Sequence, residues 1–131
     1  IELYDNSSIY SEGENNTINL EKVTLNNDSY IYSNGDININ KELNLYNNSY
    51  IQSDKSNIII NNSTNLENNS SIYALGEGEL KLKDITLSTT SRVYTDKADI
   101  NIAGDVKGST DSYIYSESGD ISISGDTELA D

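Results

Sequence analysis

A phrase of about 21 residues recurs along the whole chain, and this periodicity limits the available folds more than any other feature. The segment Ser29-Tyr30-Ile31-Tyr32-Ser33-Asn34-Gly35-Asp36-Ile37-Asn38-Ile39 returns, with one inserted residue, as Ser112-Tyr113-Ile114-Tyr115-Ser116-Glu117-Ser118-Gly119-Asp120-Ile121-Ser122-Ile123. Weaker versions lie between them. The central apolar residue falls at Ile9, Ile31, Ile51, Ile72, Val93 and Ile114, at intervals of 22, 20, 21, 21 and 21 residues. Self-similarity at such a period marks an architecture of stacked units.

Each repeat holds two further apolar pairs with one residue between their members. The second set is Ile18/Leu20, Ile37/Ile39, Ile58/Ile60, Leu80/Leu82, Ile100/Ile102 and Ile121/Ile123. The third is Val23/Leu25, Leu43/Leu45, Thr64/Leu66, Ile85/Leu87, Val106 alone, and Thr127/Leu129. Apolar-x-apolar is the period of a strand with alternate side chains turned inward, and no stretch carries the helical i, i+3, i+4, i+7 pattern. The reading is an all-β fold: a parallel β-helix, or β-solenoid, of about six coils. Each coil has three short strands, and there are no helices. Coils stack about 4.8 Å apart, so that Ile falls on Ile and Leu on Leu. Parallel connections within one sheet favour right-handed coiling.

This period gives meaning to an otherwise unpromising composition. The 131 residues carry 22 acidic and 8 basic side chains, a net charge of -14, and an apolar fraction of 34%. Low hydrophobicity with high charge is the signature of disorder. A single coil could not bury its share of the chain's 31 Ile, Leu and Val efficiently, but a stack can. The corners agree. Asn occurs 19 times, often paired before the first strand as Asn26-Asn27, Asn47-Asn48 and Asn68-Asn69. Asn accepts left-handed backbone and can form hydrogen-bond ladders between coils. Gly35, Gly76, Gly78 and Gly119 mark the next corner. Pro is absent, as expected where a neighbouring coil needs nearly every backbone N–H.

The pattern Ser-x-Ile-x-Ser-x-Gly-Asp-Ile-x-Ile, as in Ser29 to Ile39, resembles the haemagglutinin-type repeats of large secreted bacterial exoproteins. That resemblance implies a right-handed parallel β-helix serving as an elongated adhesin or stalk, secreted or at the bacterial cell surface.

Residues 1–131 read as one solenoid domain, uncapped at both ends. Ile1-Glu2-Leu3 matches the third strand, and so does Thr127-Glu128-Leu129. Ile1, Leu3, Thr127 and Leu129 are therefore the candidate end-stacking residues. Bare strand edges recruit partners. Two partners fit: further coils of a longer solenoid, or copies of the chain stacking head to tail in a non-closing, fibre-forming contact.

Two columns of side chains are candidate sites. Tyr10, Tyr30, Tyr32, Tyr50, Tyr73, Tyr94, Tyr113 and Tyr115 flank the first-strand Ile positions on one outward face. Such a strip can stack on glycan rings, anchor a cell surface or a neighbouring fibre, or simply stabilise its own sheet. The acidic column Asp36, Glu79, Asp99 and Asp120 precedes the second strand. Stacked carboxylates could hold calcium, or could bond local backbone N–H groups. Calcium is the only cofactor suggested.

Other functions are expected to be absent. Without Cys or His there is no thiol nucleophile, disulfide framework or imidazole base. The acids recur at turns and Arg92 is the sole Arg, so no compact carboxylate–cation group interrupts the repeat and no catalytic residue is assigned. The negative charge repels nucleic acid. The longest apolar run is Ile58-Ile59-Ile60, so no membrane insertion is expected. An ice-binding face would want regular Thr-x-Thr rows, whereas the outward third-strand column reads Glu2, Thr24, Asn44, Asn65, Thr86 and Glu128.

Overall fold

A computed structural model describes residues 1–130 of the chain. It is an all-β solenoid of about six coils spaced by about 21 residues, with three strands per coil and no helix among the described residues. Numbered in chain order, the strands form three parallel sheets. Sheet I stacks β2 (Ser8–Ser11), β5 (Tyr30–Ser33), β8 (Tyr50–Ser53), β11 (Ser71–Ala74), β14 (Arg92–Thr95) and β17 (Tyr113–Ser116). Sheet II stacks β3 (Thr17–Leu20), β6 (Asp36–Ile39), β9 (Ile58–Ile60), β12 (Glu79–Leu82), β15 (Asp99–Ile102) and β18 (Ile121–Ile123). Sheet III holds seven: β1 (Glu2–Leu3), β4 (Val23–Leu25), β7 (Leu43–Leu45), β10 (Thr64–Leu66), β13 (Ile85–Leu87), β16 (Val106–Ser109) and β19 (Thr127–Ala130).

The register follows the apolar period. Ile9, Ile31, Ile51, Ile72, Val93 and Ile114 lie directly on one another in sheet I. Ile37, Ile58, Leu80 and Ile100 do the same in sheet II. In the interior coils these side chains are fully buried, while the residues between them are not. A one-residue slip would turn every apolar side chain outward, so burial fixes the register. In sheet III, Lys107 completes the outward column between Thr86 and Glu128, and Leu129 packs where Gly108 lacks a side chain.

Thr64 interrupts the inward column between Leu43 and Ile85. It is buried, and its hydroxyl meets no hydrogen-bond partner. A buried unsatisfied hydroxyl costs about 1–3 kcal/mol. Thr64→Val keeps the branched shape and removes the orphan, so it is expected to stabilise the protein by about 1 kcal/mol in denaturant titrations.

The corner from sheet III to sheet I turns on two consecutive left-handed residues in every coil: Asp5-Asn6, Asn27-Asp28, Asn47-Asn48, Asn68-Asn69, Thr89-Thr90 and Thr110-Asp111. The left-handed pair in the second coil is therefore Asn27-Asp28, with Asn26 one step before the turn. The Asn ladder is present, running from Asn69 to Asn48, from Asn68 to Asn47, and from Asn47 to Asn26 and Asn27. Thr89 and Thr90 hold the same conformation despite branched side chains, which adopt it at a cost.

None of the glycines has positive φ. At the corner between sheets I and II the requirement is proximity. A Cβ on Gly35 would lie 1.9 Å from the Asn16 carbonyl oxygen, one on Gly78 would lie 2.7 Å from the Ser56 carbonyl carbon, and one on Gly119 would lie 2.3 Å from the Ala98 oxygen. Glycine thus sits on a residue that has a side chain, at alternate coils.

Candidate functional site

Sheet I carries the tyrosine face. Its outward side chains form two columns, since pleating turns alternate residues out. Tyr10 stacks on Tyr32 with ring centroids 4.9 Å apart, and Tyr30 on Tyr50 at 5.1 Å with planes only 3° apart. Tyr94 stacks on Tyr115 at 5.8 Å. Within each pair the two rings cover one face of each other. Tyr10, Tyr113 and Tyr115, on the terminal coils, are exposed. Tyr73 departs from the pattern, lying at 71° to Tyr50 and 60° to Tyr94.

Three of the eight phenols on this face are tied to acids at the next corner. Tyr10 donates to Glu12 at 2.9 Å, Tyr94 to Glu117 at 2.8 Å, and Tyr32 stands 2.7 Å from Asp54 and 2.8 Å from Asn34. Hydrogen bonding to a carboxylate favours the protonated phenol. The Asp54 bond pushes the Tyr32 pKa up to about 12, and the Glu117 bond does the same for Tyr94. The remaining two tyrosines lie off this face: Tyr4 donates to Glu2, and Tyr46 accepts from Asn65.

In the acidic column at the start of sheet II, Asp36 and Asp99 accept from backbone amides of the next coil. Asp36 Oδ1 accepts from the Asn57 amide N at 3.1 Å, from the Asn57 side chain at 3.0 Å, and from the Ser56 hydroxyl. Asn57 Oδ1 accepts from the Glu79 amide, and Asp99 Oδ1 from that of Asp120. Glu79 accepts from Asn101 and pairs with Lys81. Each of these side chains bonds the coil above it. No group of three or more acids converges on a metal-sized space among the described residues.

These bonds, the Ser56 hydroxyl first, hold the Asp36 carboxyl below its usual pKa. A carboxyl whose folded pKa is depressed contributes stability that is present above its unfolded value, about 3.9, and lost as pH falls through the folded one. Asn57 already makes the equivalent bond as an amide. Asp36→Asn is therefore expected to fold at neutral pH and to lose less stability than the parent as pH falls below about 4. Asp36→Ala is expected to lose about 1–3 kcal/mol at pH 7, with both effects read from urea midpoints.

Two sets of residues escaped the sequence reading. A second carboxylate column, Asp84, Asp105 and Asp126, repeats the backbone staple at the corner between sheets II and III, with Asp105 N on Asp84 and Asp126 N on Asp105. Serine recurs once per coil at Ser7, Ser29, Ser49, Ser70, Ser91 and Ser112. Its hydroxyl closes the left-handed turn on the carbonyl three residues back in four coils, from Ser7, Ser29, Ser49 and Ser91. Ser29, Ser49, Ser70 and Ser91 are fully buried. That column was legible, because no other polar residue type holds one phase through all six coils.

The predicted end-stacking residues lie on open surfaces. Leu129 is 76% exposed and Ile1 52%, Thr127 is exposed, and Leu3 is half-buried. At the last coil Ile121 is 46% and Ile123 36% exposed, while their counterparts two coils earlier are buried. β17, β18 and β19 have no strand on one side, and neither do β1, β2 and β3.

No family model matches this chain, and neither the curated proteins nor the solved structures provide a match.

Proposed function

We propose that this chain is a structural β-solenoid segment of an extracellular bacterial fibre or adhesin, extended by stacking coil upon coil. The observation that carries this reading is the ladder itself: three parallel sheets keep one register from coil to coil, so each coil presents the same three strand edges and apolar columns to the next. Unpaired edges with an exposed core template further strands. The neighbour is either a second copy of the chain or further coils of the same polypeptide, and both continue the same hydrogen-bond ladder. The extracellular placement rests on the resemblance to haemagglutinin-type repeats.

Electron microscopy of the concentrated chain tests the homopolymer form. Filaments are expected with an axial rise of about 30 Å per protomer, since six to six and a half coils stack at about 4.8 Å. Ile121→Lys with Ile123→Lys is expected to leave the melting transition in place, because both sit on the exposed last coil, and to abolish filaments. A chain that stays monomeric at all concentrations sinks the homopolymer and leaves the stalk segment. Absence of immunolabelling on intact source cells would remove the extracellular assignment.

A further inference from the structure

Arg92 is the chain's single arginine, and it sits where the regular stacking of the tyrosine face fails. Directly beneath it in register is Ser71, where other coils carry Tyr30 and Tyr50. The Tyr73 ring is tilted beside this small residue, and the Arg92 guanidinium lies 5.9 Å from the Tyr73 centroid. Arg92 Nε donates to Ser71 Oγ at 3.0 Å. That bond anchors the guanidinium plane and leaves the two terminal nitrogens to form a fork suited to a carboxylate.

The fork has no internal acid to satisfy it. Five of the seven lysines, Lys22, Lys41, Lys55, Lys81 and Lys97, each pair with a glutamate. Arg92 pairs with no carboxylate among the described residues. The Tyr113 phenol and then the Tyr73 phenol instead stand against it and hold its pKa above the ordinary value. Unlike Tyr10, Tyr32 and Tyr94, neither phenol donates to an acid among the described residues, so both O–H groups are free for a ligand. Tyr113 is 45% exposed, which opens the cluster to solvent.

We propose that Arg92, oriented by Ser71 and flanked by Tyr73 and Tyr113, binds the carboxylate of a sugar acid carried in an otherwise neutral glycan. A fixed guanidinium fork recognises a carboxylate bidentately. The two phenols meet the hydroxyls beside it, and the ring edges meet sugar carbons. The charge of the rest of the molecule restricts the partner. At a net charge of -14 the surface repels polyanions, so nucleic acids, acidic peptides and anionic lipid surfaces are disfavoured. A single carboxylate among neutral sugars avoids most of that repulsion. This site is independent of end-to-end stacking and goes beyond it.

The lone arginine makes the experiment direct, because its Nε–H gives one side-chain NMR signal. Three probes are titrated: a trisaccharide with one central glucuronate, the same trisaccharide with glucose in its place, and pentaglutamate. The Arg92 signal is expected to shift saturably with the glucuronate probe and at least about ten-fold more weakly with the neutral one. Arg92→Lys keeps the charge but loses the fork, and is expected to lower affinity about ten-fold or more at an unchanged melting temperature. Should that variant fold poorly, exposed Tyr113→Phe is expected to weaken binding several-fold without unfolding. No saturable shift with glucuronate, equal binding of both trisaccharides, or full binding by the variants would overturn the proposal. Tighter binding of pentaglutamate would overturn it in favour of an acidic protein partner. Filament formation is unaffected in every case, so failure here is separable from failure of the stacking reading.

Discussion

Replacing Ile72 by Asp is expected to abolish cooperative folding of the chain, seen as loss of the β-sheet circular dichroism signal and of a melting transition. Ile72 is fully buried in the middle of sheet I, with Ile51 on one side and Val93 on the other. No cation lies in that column to pair with a carboxylate. A carboxylate buried without a partner costs several kcal/mol, and one that takes up a proton instead still leaves an unbonded polar group in place of buried apolar surface. Whole domains are stable by about 5–15 kcal/mol. The position amplifies the loss, because each coil is stabilised only by its two neighbours. A break here leaves two short stacks, each with a new open end. Ser122→Asp adds the same charge at an exposed outward position and is expected to change stability by no more than about 0.5 kcal/mol. Similar behaviour of the two variants would refute the inward assignment of the first-strand isoleucines.

Gly35→Val is expected to destabilise the protein by about 3 kcal/mol in chemical denaturation, near the upper end for overpacking a tight site. The added Cβ would stand 1.9 Å from the Asn16 carbonyl oxygen and 2.9 Å from its carbon. Both belong to the backbone of the coil below, which the ladder holds in place, with Asp36 N donating to that same Asn16 oxygen. Relief would require separating two coils at one corner. Gly13→Ala provides the contrast. There the new Cβ meets only the Asn16 side-chain amide, which can rotate away, so the expected cost is under about 1 kcal/mol. Equal costs would show that the corner is not close-packed.

Much of this architecture was legible because strand periodicity is local. Apolar-x-apolar pairs at 21-residue intervals specify inward positions without reference to anything distant, and all three inward columns lie where the spacing put them. The tyrosine columns and the Asn ladder follow from the same alignment. The tilt of Tyr73 does not, because ring orientation depends on side chains one coil away, Gln52 on one side and Arg92 and Tyr94 on the other. The role of the acidic column was open for a related reason. A carboxylate at a corner could meet an ion or an amide, and the amide contact of Asp36 with the Asn57 N–H arises only from the distance between two coils.

Sequence alone therefore determined the repeat, the inward set, the three-strand coil and the face on which the tyrosines gather. These depend on side-chain alternation within a few consecutive residues. The tertiary structure decided which atoms touch between neighbouring coils and across the corners: the carboxylate staples, the buried serines closing the left-handed turns, the alternate glycines packed on the backbone of the coil below, and an arginine without an acid. Those contacts arise only when neighbouring coils settle to strand spacing, where fractions of an ångström separate a hydrogen bond from a clash.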